Sequence, residues 1–169
     1  MPIGLKAMAK PELLALLKIA YTELQYWLIG MTPEGYHFQQ ARNFEQLGAL
    51  KRSAHHSHQV LRYGEYPETR ARLGYYYATL GSYQEAAEHY RKSIVGWPHP
   101  TFLLSLAQVE LRLGNSQAAV ELLERVENSE SKDELAVAIA EVRSEMTAAG
   151  RPMQPTPETD EQVRTNGVG

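Results

Sequence analysis

The chain has 169 residues, a formal net charge of -3 and no cysteine, which excludes disulfides, thiol chemistry and cysteine-built zinc sites. A pI of about 6.1 offers no basic footprint for a nucleic acid, and the length suits one domain of usual size. The first apolar stretch is interrupted by Lys18, Thr22, Glu23 and Gln25; it falls short of the ~20 apolar residues of a membrane span and lacks the small-residue cleavage site of a secretory leader, so a cytoplasmic protein without membrane insertion is expected.

Residues 10–29 predict a first helix inside an N-terminal unit 1–33. Pro11 suits an early helical position, and Gly30 with Pro33 ends the element. Its apolar residues, among them Leu13, Leu14, Leu16, Leu17, Leu24, Trp27, Leu28 and Ile29, cover more than one stripe, which predicts burial on two sides or pairing with a second surface. Two arrangements satisfy this. Either the helix packs on the elements that follow, or it meets a second copy or a partner through Tyr26, Trp27 and Ile29.

Beyond residue 33 the chain is periodic. Leu47-Gly48, Leu80-Gly81 and Leu113-Gly114 stand 33 residues apart, which divides this part into units 34–66, 67–99 and 100–130. In 67–99 the pattern predicts helix A over about 68–80 and helix B over about 83–96, with Tyr83, Ala86, Ala87, Tyr90 and Ile94 inward. Gly81 suits the left-handed turn between the two. In 34–66 the same register puts small residues at Ala41 and Ser53 and an aromatic at Phe44. In 100–130 Leu103, Leu106, Ala107 and Val109 face Ala119, Leu122, Leu123 and Val126, with Glu110 where the preceding unit has Tyr77. Ser131 with Glu134 reads as a capping box that opens a helix over 131–150, with Leu135, Ile139, Val142 and Met146 on its apolar face. Residues 151–169 carry few apolar side chains and predict disorder.

Leu73-Gly74, Tyr77, Ala86, Tyr90 and Pro98 reproduce the spacing L-G-x2-Y…A-x3-F…P of a tetratricopeptide repeat (TPR) unit, with Arg70 in place of the first aromatic. The chain is identified as a member of that family. The resemblance implies an all-α, right-handed superhelical solenoid of antiparallel helix pairs, with the N-terminal helix before it and the last helix as a C-terminal cap. It also implies a non-catalytic module that binds a protein client or peptide segment on the concave side, lined by helix A. Carried over by register, the groove positions are Phe38, Gln39, Arg42 and Gln46; Arg72, Tyr75 and Thr79; and Leu104, Gln108, Leu111 and Arg112. Aromatic and apolar groups there would bury the anchors of a client, and Arg and Gln would satisfy its backbone or carboxylates.

Two subfamilies can be compared. TPR domains that clamp the C-terminal carboxylate of heat-shock chaperones place Lys and Asn where Phe38 and Arg42 stand here, so that clamp is absent. The stretch from Pro100 and Phe102 through Leu113-Gly114 to Val126, followed by a polar break and a helix near Glu134, resembles the TPR chaperones of bacterial type III secretion. Residues 1–66 do not carry this second resemblance. A structural subunit that self-associates as a homodimer through the N-terminal helix is the alternative.

No arrangement of nucleophile, base and acid appears, and no glycine-rich loop suits a nucleotide, so neither an enzyme nor a cofactor is expected. His55, His56 and His58 invite a metal, but no third ligand follows at a suitable spacing. They read as a solvated polar face on the convex side, with a pH-sensitive contact as the sharper option.

Overall fold

The computed structural model describes residues 10–149. Its eight helices are α1 (Lys10–Ile29), α2 (Pro33–Gln46), α3 (Leu50–Val60), α4 (Pro67–Thr79), α5 (Tyr83–Gly96), α6 (Pro100–Arg112), α7 (Ser116–Glu127) and α8 (Ala136–Ala149). No strand occurs among the described residues. The predicted disordered tail, 151–169, lies outside them.

The punctuation of the sequence sets these boundaries. Pro33, Pro67 and Pro100 each occupy the first helical turn, where a missing N–H costs nothing and φ is already helical. The Thr32 hydroxyl accepts from the Gly35 amide at 3.2 Å, an N-cap that satisfies one of the unpaired donors of α2. Gly48, Gly81 and Gly114 end α2, α4 and α6 at φ +68°, +81° and +81°. Only glycine takes this left-handed backbone freely, and it turns the chain into α3, α5 and α7.

Consecutive helices therefore fold back as the pairs α2–α3, α4–α5 and α6–α7, and α3 and α5 lean in turn on α4 and α6. The main core joins Ala86, Ala87 and Tyr90 of α5, Leu103, Leu106 and Ala107 of α6, Leu122, Leu123 and Val126 of α7, and Ile139 and Val142 of α8. A smaller cluster around Leu73, Ala54 and Tyr76 joins α4 to α3. Within the tyrosine run of α4 it is Tyr76 that is fully buried; Tyr77, assigned to the core by register, is half-buried.

Two details depart from expectation. The capping box at Ser131 and Glu134 does not form and α8 begins at Ala136. Instead, 129–135 runs in successive turns, with the Ser129 hydroxyl donating to the Val126 carbonyl at 2.6 Å and the Leu135 amide to the Ser131 carbonyl at 3.1 Å. Glu110, which stands where the preceding unit has Tyr77, is only 2% exposed. It accepts from Arg91 at 2.5 Å and from the Asn115 side chain at 2.8 Å, which holds the α6–α7 turn against α5. Its charge is tolerated in the core because both oxygens are bonded.

α1 packs on α2 with its polar side. The hydroxyl of Tyr36 and the amide of Gln40 both donate to Glu23, at 2.6 and 2.9 Å. Asn43 donates to Thr22 at 3.1 Å, and Lys18 to Gln46 at 3.1 Å. The opposite side, with Leu13, Leu17, Leu24 and Leu28, is exposed, as are Trp27 at 78% and Ile29 at 74%. Tyr26 belongs to the inner side, its ring tilted 42° against that of Tyr36 with centroids 4.7 Å apart.

The tightest approach is between α4 and α5, where a Cβ on Gly74 would lie 2.7–2.8 Å from Cδ2, Cε2 and Cγ of Tyr90. Gly74→Ala is expected to destabilise the protein by about 1–3 kcal/mol, the usual range for overpacking. A urea titration should show a lower midpoint with an unchanged slope, and an unchanged midpoint would refute the close-approach account.

Candidate functional site

The first helices of the three pairs line one continuous depression built of three adjoining cavities. The first, about 540 Å³, is walled by Phe38 and Glu34 of α2, Val60, the stretch Tyr66–Thr69 and Trp97. The second, about 500 Å³, shares Glu68 and Trp97 with it and adds Glu45, Ala71, Arg72, Tyr75, Tyr90, Thr101, Phe102 and Ser105. The third, about 310 Å³, continues from Tyr75, Tyr90 and Ser105 past Thr79 and Gln108 to Arg112 and Glu145. Helical spacing explains the order: 68, 72, 75 and 79 lie on one face of α4, and 101, 105, 108 and 112 on the matching face of α6.

Of the positions expected from the register, Phe38, Arg72, Tyr75, Thr79, Gln108 and Arg112 line this depression. Leu104 does not: it is 5% exposed and belongs to the core. Leu111 is half-buried against the same core. Gln46 faces α1 and accepts from Lys18. Gln39 is half-buried and Arg42 exposed, and neither borders these cavities. The lining residues that the register missed include Glu34, Glu45, Glu68, Trp97, Thr101, Phe102, Ser105 and Glu145. A strict 33-residue step from Glu68 and Arg72 reaches Thr101 and Ser105. Trp97 sits between helices, so helical periodicity carries no sign of it.

The arginines are already engaged. Arg72 bonds Glu45 at 2.6 Å and Glu68 at 3.2 Å. Burial alone would lower its pKa, but the Glu45 charge and the bonds to Glu68 and Tyr76 raise it, so it stays charged. Its Nε is shielded from solvent and donates to nothing. Arg112 meets Glu145 of α8 at 3.5 Å. Tyr66 donates to Glu34, a bond that, with minor burial, raises the phenol pKa. Trp97 meets His99 and Phe102 edge-on, with ring centroids 4.8 and 5.6 Å apart, so an exposed indole is held rigidly at the rim. This set can bury an apolar side chain and donate or accept backbone hydrogen bonds; none of its groups pairs a nucleophile with a base.

The histidines are elsewhere and are not a solvated face. Only His55 is exposed. His56 faces His37, Nδ1 to Nδ1 at 3.0 Å, and stacks on Phe44. His58 Nε2 meets the Tyr77 hydroxyl at 3.0 Å, while His89 lies flat on the Tyr77 ring at 5.4 Å. Helix-to-helix packing, rather than a ligand, uses these rings; among the described residues no group of three or more His, Asp or Glu could hold a metal.

A family model described as "Tetratricopeptide repeat" matches residues 38–99 and, overlapping it, residues 71–133. Together the matches cover more than half of the chain. No curated protein matches the sequence.

Burial lowers His56 and His89 to about 4 from 6.5, helped by the neighbouring His37 and His55 in one case and His58 and Arg70 in the other, and opposed by Glu23 and Glu88. Both fold as neutral rings, so their contribution to stability is whole above pH 6.5 and is lost as the pH falls towards 4. The urea midpoint should drop across this window, and His56→Gln with His89→Gln should flatten the fall. An equally steep fall in the variant would exclude these rings as the cause.

Proposed function

This chain belongs to the tetratricopeptide repeat family, and we propose that it is a non-catalytic adaptor or chaperone holding a segment of a client protein in the groove of its helical pairs. Its units would be the repeats 34–66, 67–99 and 100–130, with α8 as the cap. The observation that carries this is the continuity of the three cavities from Phe38 to Arg112: their walls alternate aromatic and polar groups over a length that one side chain cannot fill but an extended or helical segment can. The likeness of residues 100–134 to type III secretion chaperones supports a client that is a secreted or assembling subunit, kept from premature association in the cytoplasm. No helix among the described residues is long and apolar enough to cross a membrane.

Tyr75, half-exposed at the junction of two cavities, and Trp97 at the rim are the anchoring surfaces in this scheme. Truncating both should weaken the client about a hundredfold or more, since buried aromatic anchors carry ~2 kcal/mol or more each and about 1.4 kcal/mol is a factor of ten. The tagged protein and its Tyr75→Ala, Trp97→Ala form would be recovered from the native host, and the bound proteins compared by mass spectrometry. A stoichiometric partner lost only in the variant, at unchanged helical content, supports the groove. A partner retained in both removes it.

The exposed side of α1 favours a second role, self-association. Leu14, Leu17, Tyr21, Leu24 and Leu28 repeat at alternating three- and four-residue steps and are all exposed, the seam of a helix pair. A second copy is the occupant such a self-complementary surface suits, because a two-fold axis sets the same leucines against each other. Sedimentation should give a dimer for the full chain, and a monomer for Leu17→Glu with Leu24→Glu. Two monomers would exclude the pairing.

A further inference from the structure

The charges along the groove select the kind of segment that fits it. The first cavity combines an apolar wall of Phe38, Val60, Pro67 and Trp97 with two carboxylates, Glu34 and Glu68, and has no Lys or Arg among its walls. The adjoining cavity adds Glu45 and the one guanidinium, Arg72, which is spent on Glu45 and Glu68 together. Three carboxylates thus face a single arginine over the two cavities. The volume of about 540 Å³ lies in the range of pockets that enclose a ligand.

Resting on the groove reading above, we propose that the segment held here places a large apolar or aromatic side chain in the Phe38–Trp97 cavity and a Lys or Arg within a few residues of it, against Glu34 and Glu68. The apolar group displaces water from the aromatic wall. The cation meets carboxylates whose remaining lone pairs are open: the Tyr66 bond to Glu34 and the Arg72 bond to Glu68 each use only part of the acceptor capacity. An acidic flank would meet like charge across the same rim, where the guanidinium that lines the cavities, Arg72, is already committed. Charge at a partly exposed rim acts on partner choice more than on raw affinity, so selectivity is where the effect is read.

The test is a phage selection of random twelve-residue peptides on the full-length chain, with enriched peptides remeasured by fluorescence polarisation. Enriched sequences should pair an aromatic or large aliphatic residue with a nearby Lys or Arg. They should bind at least tenfold more weakly to Trp97→Ala and to Glu34→Gln with Glu68→Gln, lose affinity with added salt, and Glu68→Lys should shift selection towards acidic flanks. Peptides that need Trp97 but carry no basic residue, or ignore the glutamine pair, overturn the charge assignment and leave the groove standing. Failure to enrich any peptide, or binding untouched by Trp97→Ala, overturns the groove itself and this inference with it.

Discussion

The ring of Tyr90 lies where a side chain on residue 74 would have to be, and the rest of the architecture depends on that approach. With hydrogen at Gly74, α4 and α5 come close enough for Tyr90 to bury its ring against the α4 backbone, and Ala86 and Ala87 are completely buried in the same seam. Because interiors are close-packed, this spacing sets where α6 can rest on α5 and hence how the first helices line up. The same ring then forms the floor of two of the three cavities. One contact thus joins pair geometry to groove shape, which makes the groove a consequence of the core rather than an addition to it.

α1 is governed by a different balance. A surface helix ordinarily turns its apolar stripe inward, whereas here Glu23, Thr22 and Lys18 face α2 and the leucines face solvent. The polar seam is nonetheless well satisfied: Glu23 receives two donors from α2 and Thr22 one. Hydrogen bonds orient α1 but contribute only modestly to stability, about 0.5–1.5 kcal/mol each. The larger stabilisation available to this helix lies on its uncovered side, where each leucine removed from water would contribute about 1.5–3 kcal/mol. α1 meets α2 as α3 meets α4 and α5 meets α6.

Charge pairing also changed the chemistry of the site. A groove with Arg42, Arg72 and Arg112 in it reads from sequence as a place for carboxylates. In the folded chain Glu45, Glu68 and Glu145 reach the last two of these, and Arg42 lies outside the cavities. Glu45 comes from the preceding pair and Glu145 from α8, at sequence distances that local periodicity does not connect. What the walls of the first two cavities leave over is a surplus of carboxylate and the aromatic surface.

By itself the sequence determined the all-helical class, the ends of most helices and the pairing of successive elements. These follow from local rules: proline in the first turn, glycine where φ must be positive, and apolar residues at helical spacing. The 33-residue step set the face of α4 that carries Arg72, Tyr75 and Thr79, but on α6 it mixed the cavity residues Gln108 and Arg112 with Leu104 of the core. Tertiary structure alone decided the remainder. It buried Tyr76 instead of Tyr77, drew Leu104 into the core, paired Glu110 with Arg91, folded His56, His58 and His89 between helices, and set Trp97 at the rim. Each of these depends on how one helix is rotated against another, and a rotation of some tens of degrees moves a residue from surface to core without changing the pattern that predicts the helix.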